Sequence, residues 1–253
     1  MTRMGRPGSQ GGPPELSIVV PLLDEAGTAE TVIRRLIDAA LPVPYEVMVI
    51  DDGSTDGTYD AVCRAREAFP EVRMTVRRHP APQGRGACIH DALAHAAGAW
   101  LLIQDGDLEY DPVDIPALLR AGLDGPGGAV YGSRFSAAAW PAKMALPNYV
   151  GNRLLTWLTN HLYGTRLTDT MTCYKLVSCA VLRRLALRAR GFAFDSELTA
   201  KLARAGLPIT EVPIRYTART RQQGKKIRAS DFWRCLAALL RWRWGAPPGS
   251  SPR

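Results

Sequence analysis

Three carboxylates on alternate residues, Asp105, Asp107 and Glu109, directly follow the apolar run at 100–103, which predicts a strand buried on both faces. In an extended chain alternate side chains point the same way, so the three carboxylates can converge on one point. Gly106 between the aspartates lets the backbone approach a ligand or turn sharply. Hard oxygen ligands suit Mg²⁺ or Mn²⁺, and such ions usually also hold a diphosphate. The pattern therefore predicts a divalent-metal site, and the alternative is a solvated acidic loop.

The elements around this stretch alternate between strand and helix in the first half of the chain. The predicted strands span 16–23, 45–50, 72–77 and 100–103, and the predicted helices span 28–40, 56–69 and 84–97. Such alternation with short connections predicts an α/β fold with a mostly parallel sheet and helices on both faces. Right-handed crossovers place the carboxyl ends of the strands at one edge, where such sheets bind ligands. We therefore expect one cleft to gather the strand-end carboxylates Glu25, Asp51, Asp52, Asp105 and Asp107.

The second half of the chain mixes shorter elements. Strands are predicted at 128–134 and 209–216, and helices at 148–163, 179–187, 194–206 and 230–244. Pro213 places the late strand at a sheet edge, because proline cannot donate to a central ladder. We divide the chain into a disordered leader at 1–14, one folded domain at 15–229, an amphipathic interfacial helix at 230–244 and a disordered tail at 245–253.

Composition excludes several classes of protein. Hydrophobic residues make up 46% of the 253-residue chain, which is ordinary for a globular protein. No apolar run approaches the roughly 20 residues that cross a bilayer, and the N-terminal stretch lacks the apolar centre of a signal peptide. Five scattered cysteines without a C-x-x-C pair indicate free thiols in a reducing compartment, and hence a cytoplasmic protein. The net charge of +8 favours an anionic partner.

Seven short segments between residues 16 and 230 occur in a recognisable order. They span 18–25, 49–56, 84–86, 104–112, 131–134, 169–175 and 224–226. In these segments the chain resembles the inverting family-2 glycosyltransferases of the GT-A fold, specifically the polyprenyl-phosphate sugar synthases typified by dolichol-phosphate mannose and glucose synthases. The resemblance implies transfer of a sugar from a GDP- or UDP-sugar to a polyprenyl phosphate, with Mg²⁺ or Mn²⁺ as cofactor. Because a polyprenyl phosphate is already an ionised nucleophile, positive charge matters more than a strong general base.

The resemblance also assigns roles to individual residues. It implies that the metal is held by Asp105, Asp107 and Glu109. The implied donor-binding residues are Pro21, Leu23, Glu25, Asp51, Asp52, Gly84, Arg85, Gly86, Asp105, Gly106, Arg219, Lys225 and Lys226. The acceptor phosphate would contact Arg134, Arg153 and Lys175, and the implied catalytic residues are Asp107, Arg134, Lys175 and Asp169. Asp169 either contacts the sugar hydroxyls, acts as a base or is a structural cap, and Leu23, where many members have tyrosine, leaves the nucleotide base open.

The C-terminal helix predicted at 230–244 carries an aromatic stripe. On a helical wheel one face holds Phe232, Trp233, Leu236, Leu240 and Trp244, with arginines at its flanks. Tryptophan beside arginine suits a bilayer interface, and about 15 residues is too short to span a membrane. We therefore expect peripheral association with an anionic surface at the inner face of the cell membrane. The alternative is a terminal helix packed on the domain.

Three other functions fit part of the pattern. A family-2 transferase could act on a different acceptor, such as a sugar or a small molecule. A sugar-phosphate nucleotidyltransferase shares the architecture and the paired aspartates, but it usually has a Gly-rich, basic signature after its first strand, which 21–27 lacks. A basic nucleic-acid-binding protein would explain the charge. It fits poorly with acidic loops in the cleft, so no nucleic-acid partner is expected.

Overall fold

The computed structural model describes residues 12–136, 144–219 and 229–244 of the chain. The strands in these residues are β1 (Leu16–Leu22), β2 (Tyr45–Asp51), β3 (Met74–Arg78), β4 (Trp100–Ile103), β5 (Ala129–Ser133), β6 (Lys175–Ser178) and β7 (Ile209–Pro213). The helices are α1 (Ala29–Asp38), α2 (Thr58–Ala68), α3 (Arg85–His95), α4 (Ile115–Asp124), α5 (Leu146–Tyr163), α6 (Cys179–Leu185), α7 (Ala193–Arg204) and α8 (Ala229–Trp244). A short 3-10 helix, Pro112–Asp114, precedes α4. The seven strands form one sheet in the order β3-β2-β1-β4-β6-β5-β7.

The first four strands are parallel, as the sequence predicts. β1 lies between β2 and β4, and Leu22 at its end is level with Asp51 at the end of β2. Alternate residues of β1 face opposite apolar layers, since Ile18 packs with α1, α2 and α4 while Val19 packs with α3, α6 and α7. Both faces of the sheet are therefore covered by helices, and the carboxyl ends of β1, β2 and β4 meet at one edge.

Strand β6 is missing from the sequence prediction, and it changes the second half of the sheet. It has four residues and begins with Lys175, so neither its length nor its pattern stands out from the loop before it. In the sheet it lies between β4 and β5 and runs antiparallel to both. Because of that direction, its amino end lies beside the carboxyl end of β4. The segment that precedes β6, 169–174, is thereby brought to the same edge as the acidic loops.

Strand β7 confirms the edge position expected from Pro213. It pairs with β5 alone, in parallel, and ends at Pro213 instead of continuing to 216. Most of the predicted leader (1–11) and the whole predicted tail (245–253) lie outside the described part of the chain. Residues 220–228, which include Lys225 and Lys226, also lie outside it.

The C-terminal helix α8 packs against α5 and α7 along one side. Cys235 and Leu239 are buried in a small apolar cluster with Leu155 of α5. The hydroxyl of Tyr163 donates to the backbone carbonyl of Leu239 at 2.5 Å. The packed-helix alternative therefore describes this side of α8. Nowhere in the residues described does a helix have the length and apolar character needed to cross a membrane.

Candidate active site

The acidic loops meet at the carboxyl edge of the sheet because backbone hydrogen bonds extend the strand pairing beyond the strands. The amide of Asp52 donates to the carbonyl of Leu22 at 2.7 Å, and the amide of Gln104 donates to that of Val19 at 2.9 Å. These bonds hold the loop after β2 and the loop after β4 on either side of β1. The predicted gathering of strand-end carboxylates at one cleft is what the topology produces.

Asp105 belongs to a buried chain of alternating charges. Arg85 Nε donates to Asp105 at 3.1 Å, and Arg85 Nη1 donates to Asp195 at 2.8 Å. The other oxygen of Asp195 accepts from Lys175 Nζ at 2.7 Å. Burial opposes the positive charge of Arg85, but Asp195 and Asp105 together raise its pKa well above the ordinary value. Arg85 is thus always charged, and its hydrogen bond to the buried Asp195 sets its orientation.

Lys175 is not placed to contact the acceptor phosphate, as the resemblance implies it should be. Its side chain is 0% exposed, and its amine donates to Asp195 and to the Thr172 carbonyl. A fully buried amine with these partners cannot contact a phosphate in the cleft. The structure corrects the prediction, and Lys175 supports the network beneath Arg85.

Asp107 is held by a second, more exposed arginine. Arg219 Nη2 lies 2.9 Å from an oxygen of Asp107, and the same guanidinium makes two bonds of 2.9 and 3.0 Å to Glu25. Burial, followed by the negative charges of Asp105 and Glu109, raises the pKa of Asp107 to about 7 in spite of Arg219. The charged form of Asp107 is therefore disfavoured, first by burial and then by its acidic neighbours, and a divalent cation relieves both effects.

Glu109 does not converge with the two aspartates. The chain is extended only to Ile103; residues 106–109 turn, and Leu108 has a left-handed φ of +61°. The Glu109 carboxylate instead accepts from the hydroxyl of Tyr216 at 2.8 Å and from the amide of Arg219 at 2.6 Å. The expected alternation fails because the strand ends first. Glu109 anchors the segment that carries Arg219.

In the described residues, the one trio whose ligand atoms gather within 4.8 Å is Asp52, His79 and Cys88. The Asp52 carboxylate there already lies 2.7 Å from His79 Nδ1 and accepts from the amides of Gln83 and Gly84 at 2.9 and 2.7 Å. Burial raises the pKa of the Cys88 thiol, which keeps it protonated and a poor metal ligand. Asp52 therefore shapes the turn before α3. Its predicted contact with the nucleotide stays a prediction.

The glycines of the cleft have packing reasons for being glycine. A β-carbon on Gly84, which has φ +102°, would lie 2.6 Å from the carbonyl oxygen of Arg190, and one on Gly86 would lie 2.3 Å from that of Ala189. A β-carbon on Gly106 would lie 2.0 Å from the side chain of Leu22. These close approaches bring the start of α3 against 189–190 and the acidic turn against β1.

Three further residues that are predicted to bind the nucleotide-sugar donor lie at the strand ends. Pro21 pairs in register with Ile50 inside the parallel sheet, and Leu23 follows the end of β1 as a half-buried side chain. Asp51 is fully buried, where one oxygen accepts from the amide of Ser54 at 3.0 Å. All three border the same cleft edge as Asp105.

Arg134 and Asp169 form a buried bidentate pair. Arg134 Nε and Nη2 donate to the two oxygens of Asp169 at 2.6 and 2.8 Å, and the Arg134 amide donates to the same carboxylate at 3.1 Å. With three donors around it and no exposed surface, Asp169 is not placed to act as a base. Of the three roles left open by the sequence, this geometry favours the structural one, which is to hold Arg134 over the ring of Tyr216 at 5.1 Å.

Arg153 completes a pair of arginines around one aromatic ring. Its guanidinium carbon lies 5.6 Å from the ring centre of Phe135, and that of Arg134 lies 5.4 Å from the same ring. Arg153 extends from α5 and is exposed, with one bond of 3.2 Å to the carbonyl of Thr168. The structure therefore brings together two of the three residues predicted for the acceptor phosphate.

Residues 17–190 match the sequence model of the family described as Glycosyl transferase family 2. The chain belongs to this family. It is 29% identical over 208 residues to the Glycosyltransferase AglJ of Haloferax volcanii, covering 82% of this chain and 64% of that protein. It is 28% identical over 235 residues to the low-salt glycan biosynthesis hexosyltransferase Agl6 of the same organism, covering 90% of this chain and 53% of that protein. The chain thus spans less than two thirds of the length of these curated relatives.

Solved structures of other glycosyltransferases share the fold. Glucosyl-3-phosphoglycerate synthase from Mycobacterium tuberculosis, in complex with Mn²⁺, UDP and glucosyl-3-phosphoglycerate, superposes with a TM-score of 0.69 at 21% identity, covering 92% of this chain and 81% of that one. The mannosyltransferase PcManGT from Pyrobaculum calidifontis, in complex with GDP-Man and Mn²⁺, gives 0.63 at 18% identity, covering 93% and 71%. The family and the GT-A fold implied by the sequence are confirmed.

Two buried acids of this family-2 chain were not singled out by the sequence analysis. Asp195 and Glu197, in the first turns of α7, are 2% and 1% exposed. Glu197 accepts from the amides of Arg188 and Ala189, so it fixes the backbone against which Gly84 and Gly86 pack. The sequence signal was weak, since the two carboxylates lie in a helix that also carries Lys201 and Arg204. Such acids are rarely buried unless they are paired.

Proposed function

We propose that this glycosyltransferase binds a nucleotide-sugar donor and one divalent cation at the acidic edge of the sheet, and transfers the sugar with inversion to a polyprenyl phosphate at a membrane surface. The observation that carries the proposal is the arrangement of charge along one cleft. Asp105 and Asp107 form an acidic end, and Arg134 and Arg153 form a cationic end. The two ends are joined through Tyr216, whose ring lies under Arg134 and whose hydroxyl donates to Glu109. Opposite charges at the two ends fit a metal-chelated donor and an anionic acceptor.

Asp105 and Asp107 are the residues that would hold the cation. Both offer carboxylate oxygens, and Mg²⁺ and Mn²⁺ prefer such ligands. Burial and the neighbouring carboxylates raise the pKa of Asp107, and a bound cation would favour its charged form. The related fold structures contain Mn²⁺ or Mg²⁺ with a nucleotide. When bound, the ion supplies positive charge to the diphosphate leaving group.

Arg85 and Arg219 would contact the donor diphosphate. Arg85 Nη2 is buried and has no hydrogen-bond partner in the residues described, so an N–H beside Asp105 is available to a phosphate oxygen. Arg219 is held at the opposite side of the acidic turn by Glu25. Lys225 and Lys226 follow it in the chain and extend the same proposal. UDP and GDP remain equal candidates for the nucleotide, since related structures contain one or the other.

The acceptor phosphate would bind Arg134 and Arg153. Its ionised oxygen attacks the anomeric carbon, a new carbon–oxygen bond forms on that side, and the bond to the nucleoside diphosphate breaks on the other. No proton has to be removed from the nucleophile. This agrees with the pairing of Asp169, whose two oxygens both accept hydrogen bonds from Arg134. Arg153 shares a helix with exposed Leu154 and Trp157, which favours an acceptor with a lipid tail.

A different phosphorylated acceptor is the second candidate. The Mycobacterium tuberculosis neighbour has been solved with phosphoglyceric acid, a small anion that the two arginines could also accommodate. The distinction rests on the apolar surface beside Arg153, which a small acceptor does not use.

The test is a donor and acceptor matrix with Mn²⁺. UDP- and GDP-sugars are each incubated with a water-soluble short-chain polyprenyl phosphate, with phosphoglyceric acid, or with no acceptor, and nucleoside diphosphate release and product mass are measured. We expect a glycosyl polyprenyl phosphate from one donor and at least about tenfold less transfer with Arg153→Gln, because the phosphate loses a charge-assisted bond while the exposed Arg153 leaves no buried partner behind. Product with phosphoglyceric acid alone would contradict the acceptor. Dependence on pyrophosphate with no sugar transfer would favour a nucleotidyltransferase.

A further inference from the structure

The exposed apolar surface of this protein is concentrated on two neighbouring helices. Among the described residues, nine large hydrophobic side chains are exposed, and seven of them lie on α5 or α8. Those seven are Leu146, Val150, Leu154 and Trp157 of α5, and Trp233, Leu240 and Trp244 of α8. The tryptophans are the most exposed of all, at 61%, 65% and 73%. Such a concentration is unusual for surface that only faces water.

The two sets form one face because α5 and α8 pack side by side. A β-carbon on Gly151 would lie 3.8 Å from the ring of Phe232, and the Tyr163 hydroxyl bonds the Leu239 carbonyl. Between the helices, Leu158 and Leu236 are half-buried against the shared apolar cluster. Going around each helix from these half-buried residues towards solvent, the seven exposed residues are the next side chains. We call this continuous surface the α5–α8 face.

The charges around the α5–α8 face are of one sign. Helix α5 contains no acidic residue, and α8 contains only Asp231, which is buried and lies 3.4 Å from Arg234. The exposed ionic side chains of the two helices are Arg153, Arg234, Arg241 and Arg243. An apolar surface bordered by arginines fits a partner that is apolar inside and anionic at its boundary. A second copy of the same face would instead set arginines against arginines.

We propose that the α5–α8 face docks on the surface of an anionic lipid bilayer, with Trp157 of α5 inserting as well as the tryptophans of α8. The aromatic and aliphatic side chains enter the boundary between headgroups and acyl chains, and the arginines contact lipid phosphates. The inference rests on the proposed acceptor in one respect. Arg153 belongs to α5, so docking by this helix places the cationic end of the cleft at the level of the lipid headgroups.

The experiment uses co-sedimentation with vesicles that contain neither donor nor polyprenyl phosphate. Vesicles are made of phosphatidylcholine alone or of phosphatidylcholine with about one quarter phosphatidylglycerol. The α5 variant is Leu154→Ser with Trp157→Ser, and the α8 variant is Trp233→Ser with Trp244→Ser. The matched control, Val113→Ser with Leu123→Ser, removes the two exposed hydrophobic residues that lie elsewhere. Thermal melting verifies that every variant is folded.

We expect the wild type and the control to bind the anionic vesicles, and each helix variant to bind about tenfold or more weakly, since each loses apolar contact worth at least that factor. Binding that survives the α5 variant would overturn the composite face. Equal binding to neutral vesicles would overturn the role of the arginines. A wild-type dimer that does not bind vesicles, and that the variants dissociate, would show a self-association surface instead.

The readouts separate this inference from the proposed function. Transfer to the water-soluble short-chain polyprenyl phosphate needs no bilayer, so the α8 variant, whose tryptophans lie outside the proposed acceptor surface, should retain it within about twofold. Vesicle binding without that transfer would reject the acceptor and leave the docking face standing. Transfer without vesicle binding would do the reverse.

Discussion

Asp105 and Asp107 are two residues apart in one turn, yet they are neutralised in opposite ways. Asp105 is paired with Arg85, and the orientation of Arg85 is fixed by Asp195 and Lys175, which are 2% and 0% exposed. Asp107 is paired with Arg219, which comes from the far side of the cleft and leaves the carboxylate with a raised pKa. The difference teaches that the Asp105 half of the site is fixed by buried partners. The Asp107 half depends on one partly exposed arginine, which in our proposal shares the carboxylate with a divalent cation.

The most disruptive change to this pair should be Asp107→Asn. It removes a carboxylate from the proposed metal site without leaving a cavity, so transfer should fall by about a thousandfold or more while the melting temperature stays within a few degrees. Steady-state transfer at saturating Mn²⁺ measures this. The matched control is Asp124→Asn, an exposed acid at the end of α4, which should keep full activity. Near-normal turnover in the first variant would contradict the role of Asp107.

Lys175→Met should weaken the buried network of Lys175, Asp195 and Arg85. Removing one partner of a buried ion pair typically costs about 3–5 kcal/mol, so the free energy of unfolding should fall by that order. Because Asp195 then loses a partner and Arg85 its support, the KM for the donor should rise as well. Denaturant unfolding and donor kinetics measure both, with exposed Arg184→Met as the control. An unchanged stability with a raised acceptor KM would show that Lys175 contacts the acceptor after all.

The Asp107 half of the site should respond to pH. Since the pKa of Asp107 is raised to about 7, the carboxylate is largely protonated below that value, and Mn²⁺ affinity should fall about tenfold between pH 8 and pH 6. Arg219 lowers this pKa, so Arg219→Gln should move the fall to higher pH. Titrations of Mn²⁺ binding at several pH values test this, with Arg215→Gln as the control. Coincident curves for wild type and Arg219→Gln would remove Arg219 from the site.

Glu109→Gln should have the smallest effect. Both oxygens of Glu109 are engaged by Tyr216 and Arg219, and glutamine can still accept one of those bonds. We expect Mn²⁺ affinity to change by no more than about threefold, because Glu109 anchors a segment and does not hold the ion. A loss comparable to that of Asp107→Asn would restore the sequence prediction of three ligands.

The sequence predicts β1, β2 and β4 well because each is an apolar run flanked by turn residues, but it does not predict α4. It also predicts the cleft, since parallel topology dictates where strand ends meet. It fails at β6, a four-residue strand that exists through its neighbours β4 and β5. The resemblance assigned Lys175 and Asp169 to the acceptor and to catalysis. Their burial depends on partners 20 and 35 residues away in the chain, which no local pattern reveals.

The central claim is that Asp105 and Asp107 hold a divalent cation for the donor diphosphate, and direct Mn²⁺ binding tests it most directly. The free-ion electron paramagnetic resonance signal is followed at pH 8 during titration of wild type, Asp107→Asn and Asp124→Asn, each with and without UDP and GDP. We predict one site in the wild type and in the control that one of the two nucleotides tightens at least tenfold, and no such site in Asp107→Asn. Wild-type affinity in Asp107→Asn, with nucleotide present, would contradict the account.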